Sequence, residues 1–182
     1  MVTIEHITTA RQLFETAGLG RCELVRGELV MMTPAGFEHG CLTTTIAAPL
    51  ANFVKQKGLG KVTGAETGFR IGRDPDTVRA PDVGFVRAER VPATLTTGFF
   101  QGPPDLAVEV ISPNDRAGDL LAKVQDWLGA GCRVVWVVDP GTRTVSVYRG
   151  EKQVTILTVS DEVTGEDVVP EFRLPVAEIF AP

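Results

Sequence analysis

Apolar residues change their spacing several times along the chain, and each change marks an element. A short amphipathic stretch from Thr9 to Thr16, with Thr8 or Thr9 as N-cap and Gly18 as stop, predicts a first helix. The run CELVRGELVMM (22–32) reads as two short strands around Arg26-Gly27, an N-terminal hairpin. After a loop from Thr33 to Phe37, the residues Leu42, Ile46, Leu50, Phe53 and Val54 recur at helical spacing from about Glu38 to Lys57. Pro49 falls inside that run and predicts a kink or a split, and Gly58 ends it. Strands are expected at 61–63, 67–71 and 82–86, with Arg73–Asp76 as the turn between the last two. The stretch 87–104 reads as irregular, with a short helical turn near Pro92.

The most regular segment follows. Asp105 to Ile111 is a nearly continuous apolar run, as expected of a central strand buried on both faces. Arg116 to Ala130 carries Leu120, Leu121, Val124, Trp127 and Leu128 on one stripe, closed by Gly131, and predicts an amphipathic helix. Arg133 to Val138 is a second buried strand, so the unit predicts a βαβ crossover with parallel strands. TVSVYRG (144–150) and QVTILTV (153–159) read as a peripheral hairpin, and 172–180 as a short terminal helix. The fold class is α/β: antiparallel strands entering a mixed β-sheet flanked by helices, in one domain spanning 1–182.

Composition narrows the possibilities. With 43% hydrophobic and 23% charged residues in 182, the chain is globular and can bury a sizeable core. No apolar run approaches the ~20 residues of a membrane span, and the N-terminus lacks the basic and apolar regions of a secretory leader. Three cysteines without a CxxC argue against a disulfide framework or a zinc site and predict small buried thiols in a reducing, cytoplasmic setting. The net charge of −5 weighs against extensive nucleic-acid binding. A local basic cluster remains in Lys55, Lys57, Lys61, Arg70, Arg73 and Arg79, which reads either as a footprint for phosphates or as a solvated face.

Against this background two carboxylates stand out. Glu109 has only apolar neighbours in its strand, and an isolated ionised carboxylate in a core costs on the order of several kcal/mol. Asp82 opens the next strand after Ala80-Pro81. Two carboxylates brought together on adjacent strands repel one another, and a hard divalent cation relieves both problems. Lys123 sits at the edge of its helix's apolar stripe, from where its stem could carry an ammonium toward the carboxylates. Asp119, one turn earlier, offers it the alternative of an i,i+4 surface pair.

The pattern Pro81-Asp82, Glu109-Val110-Ile111 in an apolar strand, then a helix with an inward lysine resembles the PD-(D/E)XK nuclease superfamily. More narrowly, CELVRGELVMMTPAGFEHG, RAPDVGFV, the segment from Pro104 to Pro140 and the following VSVY resemble the Uma-two family of bacterial endonucleases. The resemblance implies a restriction-endonuclease-like fold and a Mg²⁺- or Mn²⁺-dependent endonuclease acting on DNA. It puts metal ligands at Asp82, Glu109 and the carbonyl of Val110. Ile111 stands where the superfamily usually has its lysine, and Lys123 takes that role. Glu28 and His39 also fall in matching positions: Glu28 as an outer carboxylate or an exposed hairpin residue, His39 as a site residue or a capping and packing histidine. A homodimer would supply two sites for two strands. The loop from Ser112 to Arg116 leaves the end of the Glu109 strand, where it either meets a phosphate or only turns the chain.

Three other readings compete. One is a catalytically inactive nucleic-acid-binding or regulatory protein on the same fold. Another is a metal-free carboxylate hydrolase acting on a sugar, which the scarcity of Tyr and Trp disfavours. The last is an interaction protein whose Glu109 is merely paired with Lys123.

Overall fold

The structure is a computed structural model that describes residues 6–95, 97–113, 115–150 and 153–181. In chain order the elements are α1 (Ala10–Glu15), β1 (Cys22–Val25), β2 (Glu28–Met31), α2 (Phe37–Lys57), β3 (Gly60–Thr63), β4 (Phe69–Gly72), β5 (Thr77–Arg79) and β6 (Val83–Arg87). A 3-10 turn at Ala88–Arg90 leads to β7 (Phe100–Gln101), β8 (Leu106–Val110), α3 (Ala117–Gly129), β9 (Val134–Asp139), β10 (Thr144–Tyr148), β11 (Val154–Leu157), β12 (Glu162–Thr164), β13 (Arg173–Pro175) and α4 (Val176–Ile179).

The strands form two main sheets, where the sequence pattern predicted one mixed sheet. Six strands run β11-β10-β9-β8-β6-β3, with β8 and β9 parallel and the other pairs antiparallel. Five run β2-β1-β5-β4-β7, and β12 pairs with β13. The N-terminal hairpin therefore belongs to a separate sheet. Its Arg26 and Gly27 both have positive φ (50° and 79°), the mirror-image turn that suits the twist of a two-residue hairpin. The expected turn at Arg73–Asp76 leads into β5, a strand too short and too polar in sequence to show a period. Asp82 consequently lies one residue ahead of β6.

Alternation along β8 and β9 divides the core. Leu106, Val108 and Val110, with Val134, Trp136 and Val138, pack in one cluster with Leu42, Ile46, Leu50 and Val54 of α2. Ala107, Val135 and Val137 face the other way, into a cluster with Val124 and Trp127 of α3. A βαβ unit with helices on both faces is thus present as expected. Within α3, Leu121 is half-exposed and outside the buried stripe.

Helix α2 passes through Pro49 without splitting. Four apolar residues at i, i+4, i+8 and i+12 dock it along the sheet, which offsets the one hydrogen bond that proline removes. Gly58 ends it in the left-handed region, φ 65°. Of the two expected N-caps, Thr9 is the one used, and it forms a capping box with Gln12. At the seam between the two sheets, a Cβ on Gly84 would stand 2.7 Å from Thr63 Oγ1 and 3.1 Å from the Phe69 ring, so only glycine fits there.

Among the described residues, no helix is long and apolar enough to cross a membrane. The three cysteines are unbridged: Cys132 is buried, Cys22 half-buried, and Cys41 exposed rather than packed away. The basic cluster does not form one face. Arg79 and Arg70 are tied into ion pairs with Glu23, Asp126 and Asp76, and Lys57 pairs with Glu171.

Candidate active site

Five elements (β1, α2, β5, β8 and α3) and the turn before β6 bring their ionisable side chains together where the two sheets meet. Each of the central carboxylates is almost fully enclosed: Glu23 of β1 is 1% exposed, Asp82 3% and Glu109 of β8 3%. The β6–β8 register pairs Val83 with Val108, and the Asp82 N–H donates to the Val108 carbonyl at 3.0 Å. The ladder thereby sets Asp82 beside Glu109 at the point where β6 begins.

Asp82 Oδ2 accepts from the Val110 N–H at 2.8 Å and lies 3.1 Å from His39 Nε2. Its Oδ1 is 3.4 Å from Arg21 Nη2. Glu109 Oε1 accepts from the Trp127 indole N–H at 2.8 Å, and Oε2 from Lys123 Nζ at 3.2 Å. Lys123 Nζ also stands 3.8 Å from Glu23 Oε1. Glu23 is held in turn by the Ala80 N–H at 3.0 Å and by Arg79 Nη1 at 2.7 Å. Arg79 turns its remaining edge to Asp126 Oδ2, at 3.0 and 2.6 Å.

Charge balance within this group is uneven. Burial pushes the Glu109 carboxyl up to about 7; Lys123 pulls it down, while the charges of Asp82 and Glu23 push it up again. Asp82 goes the other way. Burial would raise its pKa, but the hydrogen bonds from His39 and Val110 and the charges of His39 and Lys123 outweigh burial and hold it below the usual range. The bond to Asp82 raises the His39 pKa against burial. Lys123 is likewise raised, because Glu109 and Glu23 outweigh its desolvation.

The structure therefore brings together Asp82, Glu109, Lys123 and His39, all singled out from sequence. Lys123 meets Glu109, not Asp119. Val110 lies at the centre through its backbone. Its carbonyl leaves the strand on the same edge as its N–H, beyond the last β6–β8 pair, so β6 offers it no partner there. Glu28 is a correction. It is exposed at the hairpin, opposite Val25, and its side chain makes no hydrogen bond or ion pair among the described residues. Glu23, five residues earlier on the other strand, fills the place expected for it. Arg79, Asp126, Trp127 and Arg21 were also missed as site residues. In the loop after β8, Asn114 lies outside the described residues, while Asp115 caps the Ser112 N–H at 2.8 Å, as turn chemistry predicts.

The donor set suits a hard divalent ion. Asp82 and Glu109 keep lone pairs beyond their protein hydrogen bonds, and the Val110 carbonyl adds a third oxygen. No cluster of three or more His, Cys, Asp or Glu side chains forms a ready-made cage among the described residues.

Buried paired carboxylates with a lysine, at the meeting of a βαβ-containing sheet and a second sheet, define the class: a restriction-endonuclease-like α/β protein. The chain belongs to the Uma2 family, described as "Putative restriction endonuclease", whose pattern matches residues 11–177. It is also similar in fold to the crystal structure of a "putative nuclease belonging to DUF820" from Anabaena variabilis ATCC 29413. The TM-score is 0.82 at 20% identity, covering 96% of this chain and 97% of that one. No curated protein matches the chain. Membership of the family supports a nuclease activity.

Proposed function

We propose that the chain is a metal-dependent endonuclease that hydrolyses phosphodiester bonds of DNA. The observation that carries this reading is the burial of three carboxylates, Asp82, Glu109 and Glu23, at one seam, with Lys123 3.2 Å from Glu109 and 3.8 Å from Glu23. Asp82, Glu109 and the Val110 carbonyl would hold Mg²⁺ or Mn²⁺. When bound, the ion supplies Lewis-acid stabilisation of charge developing on a phosphate.

The chain's own groups do the rest. Lys123 keeps its proton because Glu109 and Glu23 face it, so its ammonium can donate to a phosphate oxygen or hold an attacking water. Trp127 fixes the orientation of Glu109 by donating to Oε1, leaving Oε2 to the ammonium side. His39 and the Val110 N–H fix Asp82 Oδ2 in the same way.

Plasmid cleavage in Mg²⁺ or Mn²⁺, with Asp82→Ala as control, tests the proposal. Cleavage by the wild type that chelator and Asp82→Ala both abolish is the expected result. Equal residual cleavage in wild type and variant marks a contaminant and defeats the proposal. Calorimetric titration with Mn²⁺ should give binding that Glu109→Gln removes.

A second reading, a nucleic-acid-binding or regulatory protein without turnover, is favoured by Ile111 at the usual lysine position and by the net charge of −5. In it Lys123 is a fixed counter-ion for Glu109 and Glu23. It predicts binding of nucleic acid with no cleavage in either ion.

A further inference from the structure

Next to Asp82 the molecule has a cavity of about 310 Å³. Leu13, Phe14, Leu19, Met32 and Phe99 line it, together with Arg21, which stands between the cavity and the candidate metal centre. Three features of this cavity have no role in the chemistry above.

The first is an unmet donor. Arg21 Nε is buried and has no hydrogen-bond partner among the described residues. Among the described residues Arg21 makes one ion pair, Nη2 to Asp82 Oδ1, which is long at 3.4 Å. The Arg21 side chain as a whole is 18% exposed on the cavity lining, so its weakly paired guanidinium edge is open to an anionic oxygen brought by a ligand. The second is an aromatic wall. Phe14 and Phe99 meet edge to face, with centroids 5.5 Å apart at 83°. Phe14 remains 51% exposed, so part of its ring is free for a flat partner. The third is Glu66 on the lining. Its carboxylate repels a phosphate but can accept from the exocyclic amino group of a base.

An anionic oxygen for Arg21, a flat apolar body for Phe14, and an amino group for Glu66 are together the parts of one nucleotide. A base enters such a cavity only when unstacked and unpaired, which costs least in a single strand. Net charge points the same way. At −5 the chain as a whole has no net attraction for a duplex backbone, which favours a mode in which stacking carries more of the affinity.

We propose that the cavity beside Asp82 is a nucleotide subsite for single-stranded DNA: Arg21 takes a backbone phosphate adjoining the one at Asp82 and Glu109, and the Phe14–Phe99 wall takes the neighbouring base. The inference rests on the nuclease reading and assigns its substrate form.

Fluorescence anisotropy tests it, with a labelled single-stranded oligodeoxynucleotide and its duplex in Ca²⁺. The proteins are wild type, Arg21→Met, Arg21→Lys and Phe14→Ala, each with its melting temperature checked. Single strand should bind more tightly than duplex. Arg21→Met should weaken single-strand binding by about tenfold to a hundredfold, as loss of a charge-assisted contact does. Arg21→Lys should weaken it less, and Phe14→Ala by about tenfold through lost stacking. Should Arg21→Met fail to fold, Phe14→Ala decides, since that ring is already half in solvent. Equal or tighter binding of duplex, no single-strand binding by wild type, or wild-type affinity in the Arg21→Met or Phe14→Ala protein overturns the subsite.

A Mn²⁺ cleavage assay on the same proteins separates the two ideas. If nothing cleaves but Arg21→Met still loses single-strand affinity, the subsite stands and the nuclease reading falls. If Arg21→Met cleaves with unchanged KM, the nuclease reading stands and the subsite falls.

Discussion

Replacing Arg79 with methionine should unbalance the whole buried ion network. Arg79 is 7% exposed and serves two carboxylates: Glu23 through Nη1 at 2.7 Å, and Asp126 through Nε and Nη2. Asp126 retains a second partner in Arg26 Nη2, at 3.0 Å. Among the described residues Glu23 retains only the Ala80 N–H and a Lys123 ammonium 3.8 Å away. Removing one partner of a buried pair leaves an uncompensated charge and costs about 3–5 kcal/mol. A domain of this size has about 5–15 kcal/mol in all. Urea denaturation should therefore show a lower midpoint at unchanged m, and the melting temperature should fall by about 6–20 °C. If the loss comes from the stranded Glu23 charge, adding Glu23→Gln to Arg79→Met should recover part of it. The coupling expected between contacting charged residues is about 1–3 kcal/mol. A loss under about 1 kcal/mol for Arg79→Met, or additivity of the two changes to within about 0.5 kcal/mol, would refute the view of Arg79 as the clamp on Glu23.

Three further outcomes are expected. Trp127→Phe keeps the ring in the α3 cluster but deletes the donor to Glu109 Oε1, so the urea midpoint should report a loss of about 1–3 kcal/mol, and an unchanged midpoint would count against the bond. Burial would raise the Asp76 carboxyl, but the Ala10 N–H at 2.7 Å and Arg70 outweigh it and hold it below its ordinary value. A depressed folded pKa contributes stability above the unfolded value near 3.8 that is lost as pH falls through the folded one. Asp76→Asn should thus flatten the acid limb of a stability–pH curve, and an unaltered limb would disprove this. Burial pushes the Cys132 thiol up to about 12, whereas Cys41 is exposed, so a thiol reagent at neutral pH should label Cys41 in the native protein and Cys132 only after unfolding.

What the sequence revealed depended on how each element keeps its position. The βαβ unit was legible because β8, α3 and β9 are long, periodic and apolar. β5 was not, since Thr77-Val78-Arg79 is held by its neighbours β1 and β4 and carries no pattern of its own. The two-sheet division was equally invisible, because Gly84 against Phe69 is a contact between elements distant in sequence. Within the site, Glu109 and Asp82 were found by asking why a charge sits among apolar neighbours. The same question applies to Glu23, between Cys22 and Leu24-Val25. The resemblance to the Uma-two family points to Glu28 instead, and the hairpin's register does not say which of its two glutamates faces inward. That choice is made by Arg79 and the Ala80 N–H, partners more than fifty residues away. Trp127 was read as packing alone, and it does pack; its indole N–H had no visible partner until α3 was laid over β8.

The displaced lysine follows from the same geometry. Side chains alternate along β8, so Ile111 shares the α3 face with Glu109, and it packs in the α3 cluster. A lysine at 111 would have brought its ammonium to that face from the strand itself. Here α3 covers the face and supplies Lys123 from above, 3.2 Å from Glu109 Oε2. Position in the motif matters less than face: either element can bring an ammonium to the same carboxylate. Taking it from the helix has a consequence, however. Lys123 and Trp127 are four residues apart on one turn of α3, and between them they hold both oxygens of Glu109. The orientation and charge of that carboxylate are thereby tied to the docking of a single helix. Changes that loosen α3, even at Val124 on its buried side, should weaken the centre before they unfold the sheet.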